Sequence, residues 1–236
     1  MIADTTFTWY GHASWGITSP GGVRIMVDPW LETSPVCPDG LKGAAADVVL
    51  VTHGHFDHVA DVVAVSEREA AVVIAQFELA AWLAEQGASE TVGMNTGGTV
   101  EARGITATMT QAFHSSTAGE GAEARDVGDP VGFVVGLENG ARVYIAGDTG
   151  VFGDMQLIGE LYRPDAAILP IGDLYTMGPF QAAHAVRLLG VSEVLCSHWG
   201  TFPALTGTPA ALRDELGTLG LDDVVVHDVP VGGTLG

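Results

Sequence analysis

Positive charge is scarce in this chain: Lys42 is the one lysine, eight arginines accompany it, and 29 acidic residues bring the formal net charge to −20. No basic cluster forms anywhere, and so negative a surface repels phosphate backbones and anionic lipid. Nucleic acid and membrane are therefore not expected as partners, and a small-molecule substrate is. Cysteine is equally scarce. Cys37 and Cys196 have no CxxC spacing and build no disulfide framework. Residues 1–10 have no basic stretch leading into an apolar one, so no secretory leader is expected and a reducing cytoplasmic location is. Long apolar runs are missing too. Mean hydropathy is +0.30, yet charges or glycines interrupt every apolar stretch before the ~20 residues a bilayer span needs. With 47% hydrophobic and only 16% charged residues, the chain is not disordered either. Its 236 residues carry no tandem repeat or low-complexity linker, so one domain over 1–236 is expected, with a homo-oligomer left open.

Short β-type runs at residues 5–10, 13–18, 23–27 and 48–52 are separated by Gly, Pro and Asp. Residues 76–86 change to a helical period, with Phe77, Ala80, Ala81 and Ala84 on one stripe. Strand patterns return at 105–113, 131–137, 141–146 and 224–227. Ala182, Ala185, Val186 and Leu189 mark another helix, and Thr208-Pro209 is an N-cap with a first-turn proline ahead of Leu212, Leu216 and Leu219. Sheets covered by helices follow, an α/β or α+β layered domain.

The chemistry concentrates in Thr52-His53-Gly54-His55-Phe56-Asp57-His58, which holds three of the chain's 8 histidines. On extended backbone His53 and His55 project to one side, while Asp57 and His58 follow at the turn into a helix. Two ligand pairs then face two adjacent points, a layout for two metal ions. Imidazole and carboxylate without thiolate suit zinc first, then manganese or iron. His114, Asp148 and His198 each stand just past a β-type run, as does Asp28, where ligands gather in layered α/β proteins.

In this order, Asp28, His53-x-His55-x-Asp57-His58, His114, Asp148 and His198 resemble the motifs of the metallo-β-lactamase-fold superfamily. Trp9-Tyr10-Gly11-His12-Ala13-Ser14, Ala146-Gly147-Asp148-Thr149-Gly150 and His198-Trp199-Gly200-Thr201-Phe202-Pro203 further resemble its compact group of bacterial metal-dependent hydrolases. That group is similar to the ascorbate-phosphate lactonases and the N-acyl-phosphatidylethanolamine phospholipase D branch. The resemblance implies a four-layer αββα sandwich and two divalent metal ions. It places His53, His55 and His114 on the first ion, Asp57, His58 and His198 on the second, and Asp148 between them. Asp57, Asp148 and His198 are the implied catalytic residues. Asp28 would support a ligand histidine from behind, and His12 would either line the site or hold a structural hydrogen bond. Leu195-Cys196-Ser197 departs from the more apolar run expected before His198.

Hydrolysis of a small ester, lactone or phosphodiester by a metal-activated water follows from such a centre. An iron-dependent oxidoreductase of the persulfide-dioxygenase kind stays open, because it shares His53-x-His55; a nuclease is the weaker alternative, since it needs a basic arm. Cys196 is a buried strand residue or a further ligand. His184 lies opposite its helix's apolar stripe and is expected in solvent, and His227 is expected to be structural. Residues 115–129, polar and glycine-rich, are either a substrate lid or an ordinary surface loop.

Overall fold

The computed structural model describes residues 2–119 and 121–236. The chain runs β1 (Thr6–Gly11), β2 (Ser14–Thr18), β3 (Arg24–Val27), β4 (Val48–Leu50), α1 (Phe56–Val59), α2 (Val62–Glu69), β5 (Val72–Gln76), α3 (Phe77–Glu85) and β6 (Glu90–Met94). It continues through β7 (Thr99–Ala102), β8 (Ile105–Gln111), β9 (Thr117–Ala118), β10 (Arg125–Asp126), β11 (Val131–Gly136) and β12 (Arg142–Ile145). The last part is α4 (Met155–Tyr162), β13 (Ala166–Pro170), α5 (Pro179–Leu189), β14 (Glu193–Ser197), α6 (Pro209–Thr218), β15 (Val225–His227) and β16 (Thr234–Leu235).

Two seven-stranded sheets result, ordered β16-β1-β2-β3-β4-β5-β6 and β15-β14-β13-β12-β11-β8-β7. Each is antiparallel over one half and parallel over the other: β3 to β6 run parallel in the first sheet, and β12 to β15 in the second. The central parallel strands β4, β5 and β13 are buried throughout, covered on both faces, which is why β4 and β13 read as unbroken apolar runs. In β4, Val48 and Leu50 enter the core between the sheets, while Val49 turns outward under α2 and α3. In β13, Ala166 and Ile168 face the same inner core, and Ala167 and Leu169 pack under α4, α5 and α6. The layers are therefore helix, sheet, sheet, helix. Trp9 and Trp15 stack between the sheets with ring centroids 5.9 Å apart, and Trp199 stacks on Trp9 at 5.2 Å.

Local signals set the helix ends. Thr208 Oγ1 accepts from Ala211 N at 3.1 Å and starts α6 as its N-cap. Gln76 does the same for α3, accepting from Glu78 N at 2.9 Å. The run 224–227 does not close the chain's β-structure: beyond it β16 returns to pair with β1. No helix among the described residues is long and apolar enough to cross a membrane.

Candidate metal centre

The C-terminal ends of β1, β3, β4, β8, β12 and β14 lie along one edge of the two sheets, and the turns that follow them carry His12, Asp28, the His53–His58 segment, His114, Asp148 and His198. His12, Asp28 and His198 all hold left-handed backbone, with φ of 52°, 45° and 53°. Such conformations are strained for non-glycine residues and persist only where the surroundings fix them. The His12 carbonyl shows how. It accepts from His198 N at 2.9 Å, from Trp9 Nε1 at 3.0 Å and from Ser197 Oγ at 3.3 Å. Gly172 completes the seat, since a Cβ there would stand 1.9 Å from the His198 carbonyl oxygen.

Three overlapping groups of potential ligands form, each with its donor atoms within 4.8 Å of one another: His53, His55 and His114; His53, His58 and Asp148; and His12, Asp57, His58 and His198. The seven ligand candidates His53, His55, Asp57, His58, His114, Asp148 and His198 are thus gathered at one place, with His12 beside them. Asp148 sits at the centre. Its Oδ2 is 3.1 Å from His198 Nε2, 3.4 Å from His58 Nε2 and 3.7 Å from His114 Nε2.

The supporting hydrogen bonds fix which ring nitrogens face inward. Asp28 accepts from His58 Nδ1 at 2.8 Å and from Thr52 Oγ1 at 2.7 Å. Since the Thr52 hydroxyl gives its hydrogen to Asp28, its oxygen is left to accept from His53 Nδ1 at 3.0 Å. One carboxylate therefore presents Nε2 of two histidines to the centre, His58 directly and His53 through Thr52. His58 Nε2 is buried without a hydrogen-bond partner and faces the Asp148 oxygen. A positive charge must stand between that nitrogen and the carboxylate oxygen, carried either by a proton on the His58 ring or by an ion that takes the proton's place. A metal ion fits this need, as does the all-nitrogen-and-oxygen donor set.

A second chain of bonds serves Asp57. His12 Nε2 lies 3.0 Å from Asp57 Oδ2, and His12 Nδ1 lies 2.9 Å from Thr201 Oγ1. Burial pushes His12 down to about 4, against the opposing pull of its hydrogen bond to Asp57, so the ring is neutral near pH 7. Burial works to raise the Asp57 carboxyl, but the hydrogen bond from His12 and the charge of His58 outweigh it and hold it at about 2. The ionised carboxylate only accepts, so Nε2 carries the ring hydrogen and the Thr201 hydroxyl donates to Nδ1. His12 is a fully buried residue placed behind Asp57, not an open wall of the site.

Electrostatics divide the remaining groups sharply. Burial drives His53 well below its ordinary value, reinforced by the charge of His58. For His58 burial acts downward as well, yet the charges of Asp148 and Asp28 prevail and carry it well above. Asp148 is held well below the usual carboxylate range because His198 and His58 overcome the cost of its burial.

Other residues fall outside the cluster. The Cys196 thiol is buried in the core under the helices and pushed up by that burial, and it joins no ligand group. His184 is half-buried, with Nδ1 2.8 Å from an Arg187 nitrogen, and His227 Nε2 lies 2.9 Å from Glu193 Oε2. The stretch 115–129 forms the β9–β10 hairpin, with Glu120 outside the described residues. Its legs are anchored rather than free: Ala118 and Val127 are buried, and Gly54 N donates to Ser116 Oγ at 3.1 Å. Gly54 is required for this, because a Cβ would meet Val127 Cγ2 at 2.5 Å. Thr52 and Thr201 were given no role by sequence pattern, since Asp28 and His12, the residues they bond, lie far along the chain.

The sandwich and its edge site define a metal-dependent hydrolase, and the chain belongs to the beta-lactamase superfamily, whose "Beta-lactamase superfamily domain" model matches residues 23–199. Among its relatives, a "UPF0173 metal-dependent hydrolase" of Rubrobacter xylanophilus is 48% identical over 100% of this chain and 98% of its own length. One of the same description from a Roseiflexus species is 44% identical over 96% of each. Among solved structures, Igni18, described as a novel metallo hydrolase from the hyperthermophilic archaeon Ignicoccus hospitalis, superposes with a TM-score of 0.86 at 34% identity, covering 98% of this chain and 97% of that one.

Proposed function

We propose that the chain cleaves a small ester, lactone or phosphodiester at a centre of two divalent ions, zinc first among the candidates. In this reading His53, His55 and His114 hold one ion, Asp57, His58 and His198 hold the other, and Asp148 lies between. The observation that carries it is the position of Asp148 Oδ2, which faces His114 of the first group and His58 and His198 of the second. When bound, two such ions supply an activated water near neutral pH and polarise the scissile group. The protein's own part is orientation. Asp28 and Thr52 keep ring hydrogens turned away from the centre, and Thr201 with His12 holds the Asp57 carboxylate in place. A small molecule is the proposed partner, supported by a charge of −20 that disfavours nucleic acid.

Elemental analysis after reconstitution tests the site, with close to two equivalents of zinc, manganese or iron per chain expected and under half an equivalent overturning it. Hydrolysis across a panel of small esters, lactones and phosphodiesters should vanish with a chelator and return with divalent metal. Turnover that consumes dissolved oxygen and tracks bound iron would replace the hydrolase by the oxidoreductase.

A further inference from the structure

The cleft over the centre has a volume of about 510 Å³ and is lined by His55, Asp57, His114, Asp148 and His198 at its base. That volume suits a small molecule. Above the base the walls are aromatic, formed by Phe56, Phe202 and Tyr175. Trp30 lies behind the first wall, its ring 5.6 Å from Phe56 and 6.1 Å from Phe202, and sets both. None of the nine lysine and arginine residues is among the lining residues. Apart from the ligand set, the hydroxyls of Ser115 and Tyr175 are the polar side-chain groups there, and neither carries charge.

Tyr175 reaches the cleft from a constrained turn. Asp173 and Leu174 both take left-handed backbone, with φ of 71° and 57°. The turn is pinned by Asp173 N to Met177 O at 3.0 Å and Met177 N to Thr149 O at 3.1 Å, with Met177 fully buried. It leaves Leu174 64% and Tyr175 59% exposed, and Phe56, which also lines the cleft, is 58% exposed. A strained turn that presents apolar side chains to water beside a polar centre gains nothing for packing. Exposed apolar surface of this kind marks a binding site.

We propose that this cleft selects an uncharged ester or lactone whose acyl part is an apolar chain or ring, seated against Phe56, Phe202 and Tyr175. A substrate with a second anionic group finds no cation on these walls and meets the field of a chain carrying −20. The inference rests on the hydrolase reading and narrows it.

The test uses the metal-loaded protein of measured metal content and p-nitrophenyl esters, whose leaving group is constant. The expected kcat/KM for the hexanoate exceeds that for the acetate by about tenfold or more, since each buried methylene favours binding. The uncharged valerate should exceed the hemisuccinate, a carboxylate of similar length, by about tenfold or more, and bis(p-nitrophenyl) phosphate should be slower than both. As a readout without turnover, 2-octanone should bind at least about tenfold more tightly than 2-butanone by isothermal titration calorimetry. In the Phe56→Ala/Tyr175→Ala variant, whose substitutions are at exposed positions, the hexanoate-to-acetate ratio should fall below about threefold with metal content at the wild-type level. Hemisuccinate or phosphodiester turned over as well as valerate, or a chain-length ratio untouched in that variant, overturns the proposed specificity and leaves the hydrolase standing. No turnover of any ester, lactone or diester by fully loaded protein overturns the hydrolase reading itself.

Discussion

The first sheet sends four potential ligands to the site within one segment, His53 to His58, whereas the second sends His114, Asp148 and His198 singly from beyond β8, β12 and β14. The contiguous segment has its geometry fixed by a few backbone angles and by side-chain bonds to Asp28, Thr52 and Ser116. The dispersed residues depend on strand register and on close backbone approaches. Gly147 admits Val131 O at a distance of 2.7 Å from where its Cβ would lie, and Gly172 admits His198 O. The first half of the site is thus tuned by hydrogen bonds, and the second by packing. Substitutions should separate the two.

The sharpest break is at Asp148, which faces both groups. Asp148→Asn removes its negative charge, so both ions should weaken together and turnover should fall by more than the roughly 100-fold that loss of a supporting residue costs. Metal titration against a chromophoric chelator reads this directly. His58→Ala should instead leave one tight site, because His53, His55, His114 and Asp148 stay; two tight sites with normal turnover would show that the second group is structural.

Packing in the second half is probed by Gly172→Ala. Its Cβ would collide with the His198 carbonyl, so we expect a stability loss of about 1–3 kcal/mol together with loss of the ion held by His198. Urea unfolding and metal analysis of the same sample measure the two effects. Retention of both metals would mean that the edge of β14 yields more easily than its contacts suggest.

Hydrogen bonding in the first half is probed by Thr201→Val, which silences the donor to His12 Nδ1. Metal affinity should drop by about 10-fold, and Thr201→Ser should restore it. An equal drop in both variants would assign the effect to volume rather than to the hydrogen bond.

The smallest effect lies away from the site. Asp47 accepts from Arg24 Nε at 3.0 Å and from a terminal Arg24 nitrogen at 2.7 Å, which, as its largest influence, lowers the Asp47 pKa from its ordinary value. A lowered folded pKa contributes stability above the unfolded value and loses it as pH falls through the folded one. Because the pair is partly exposed, its worth is under about 1 kcal/mol. Asp47→Asn should therefore flatten the acid limb of a stability–pH curve slightly and leave metal content untouched.

The same contrast explains what could be read in advance. His53-x-His55-x-Asp57-His58 declares itself because its members are neighbours in sequence. His114, Asp148 and His198 were legible because each follows an apolar run that reads as a strand. Thr52 and Thr201 were not, since a threonine's role depends on partners across space: Asp28 is 24 residues from Thr52, and His12 is 189 from Thr201. The helices over residues 76–86 and after Thr208 appeared within about a residue of their observed ends, because caps and apolar period agree there. Strand β16 was missed because two residues pairing with β1 leave no periodic signal. Over 115–129, left open between a lid and a surface loop, the hairpin was not legible because Ala118 and Val127, apolar residues within a polar stretch, are buried by partners distant in sequence.

The carbonyl of His12 also bears on how the molecule is made. It belongs to the turn between β1 and β2, yet two of its three donors, His198 N and Ser197 Oγ, come from the far end of the second sheet. Neither half can acquire the site while the other is unfolded, and β16 must still travel back to β1 after the second sheet is complete. Such distant pairings form late and slowly in a folding reaction. Uptake of metal would then report the last docking of the two halves, and its release during unfolding would be the first sign that they have begun to part.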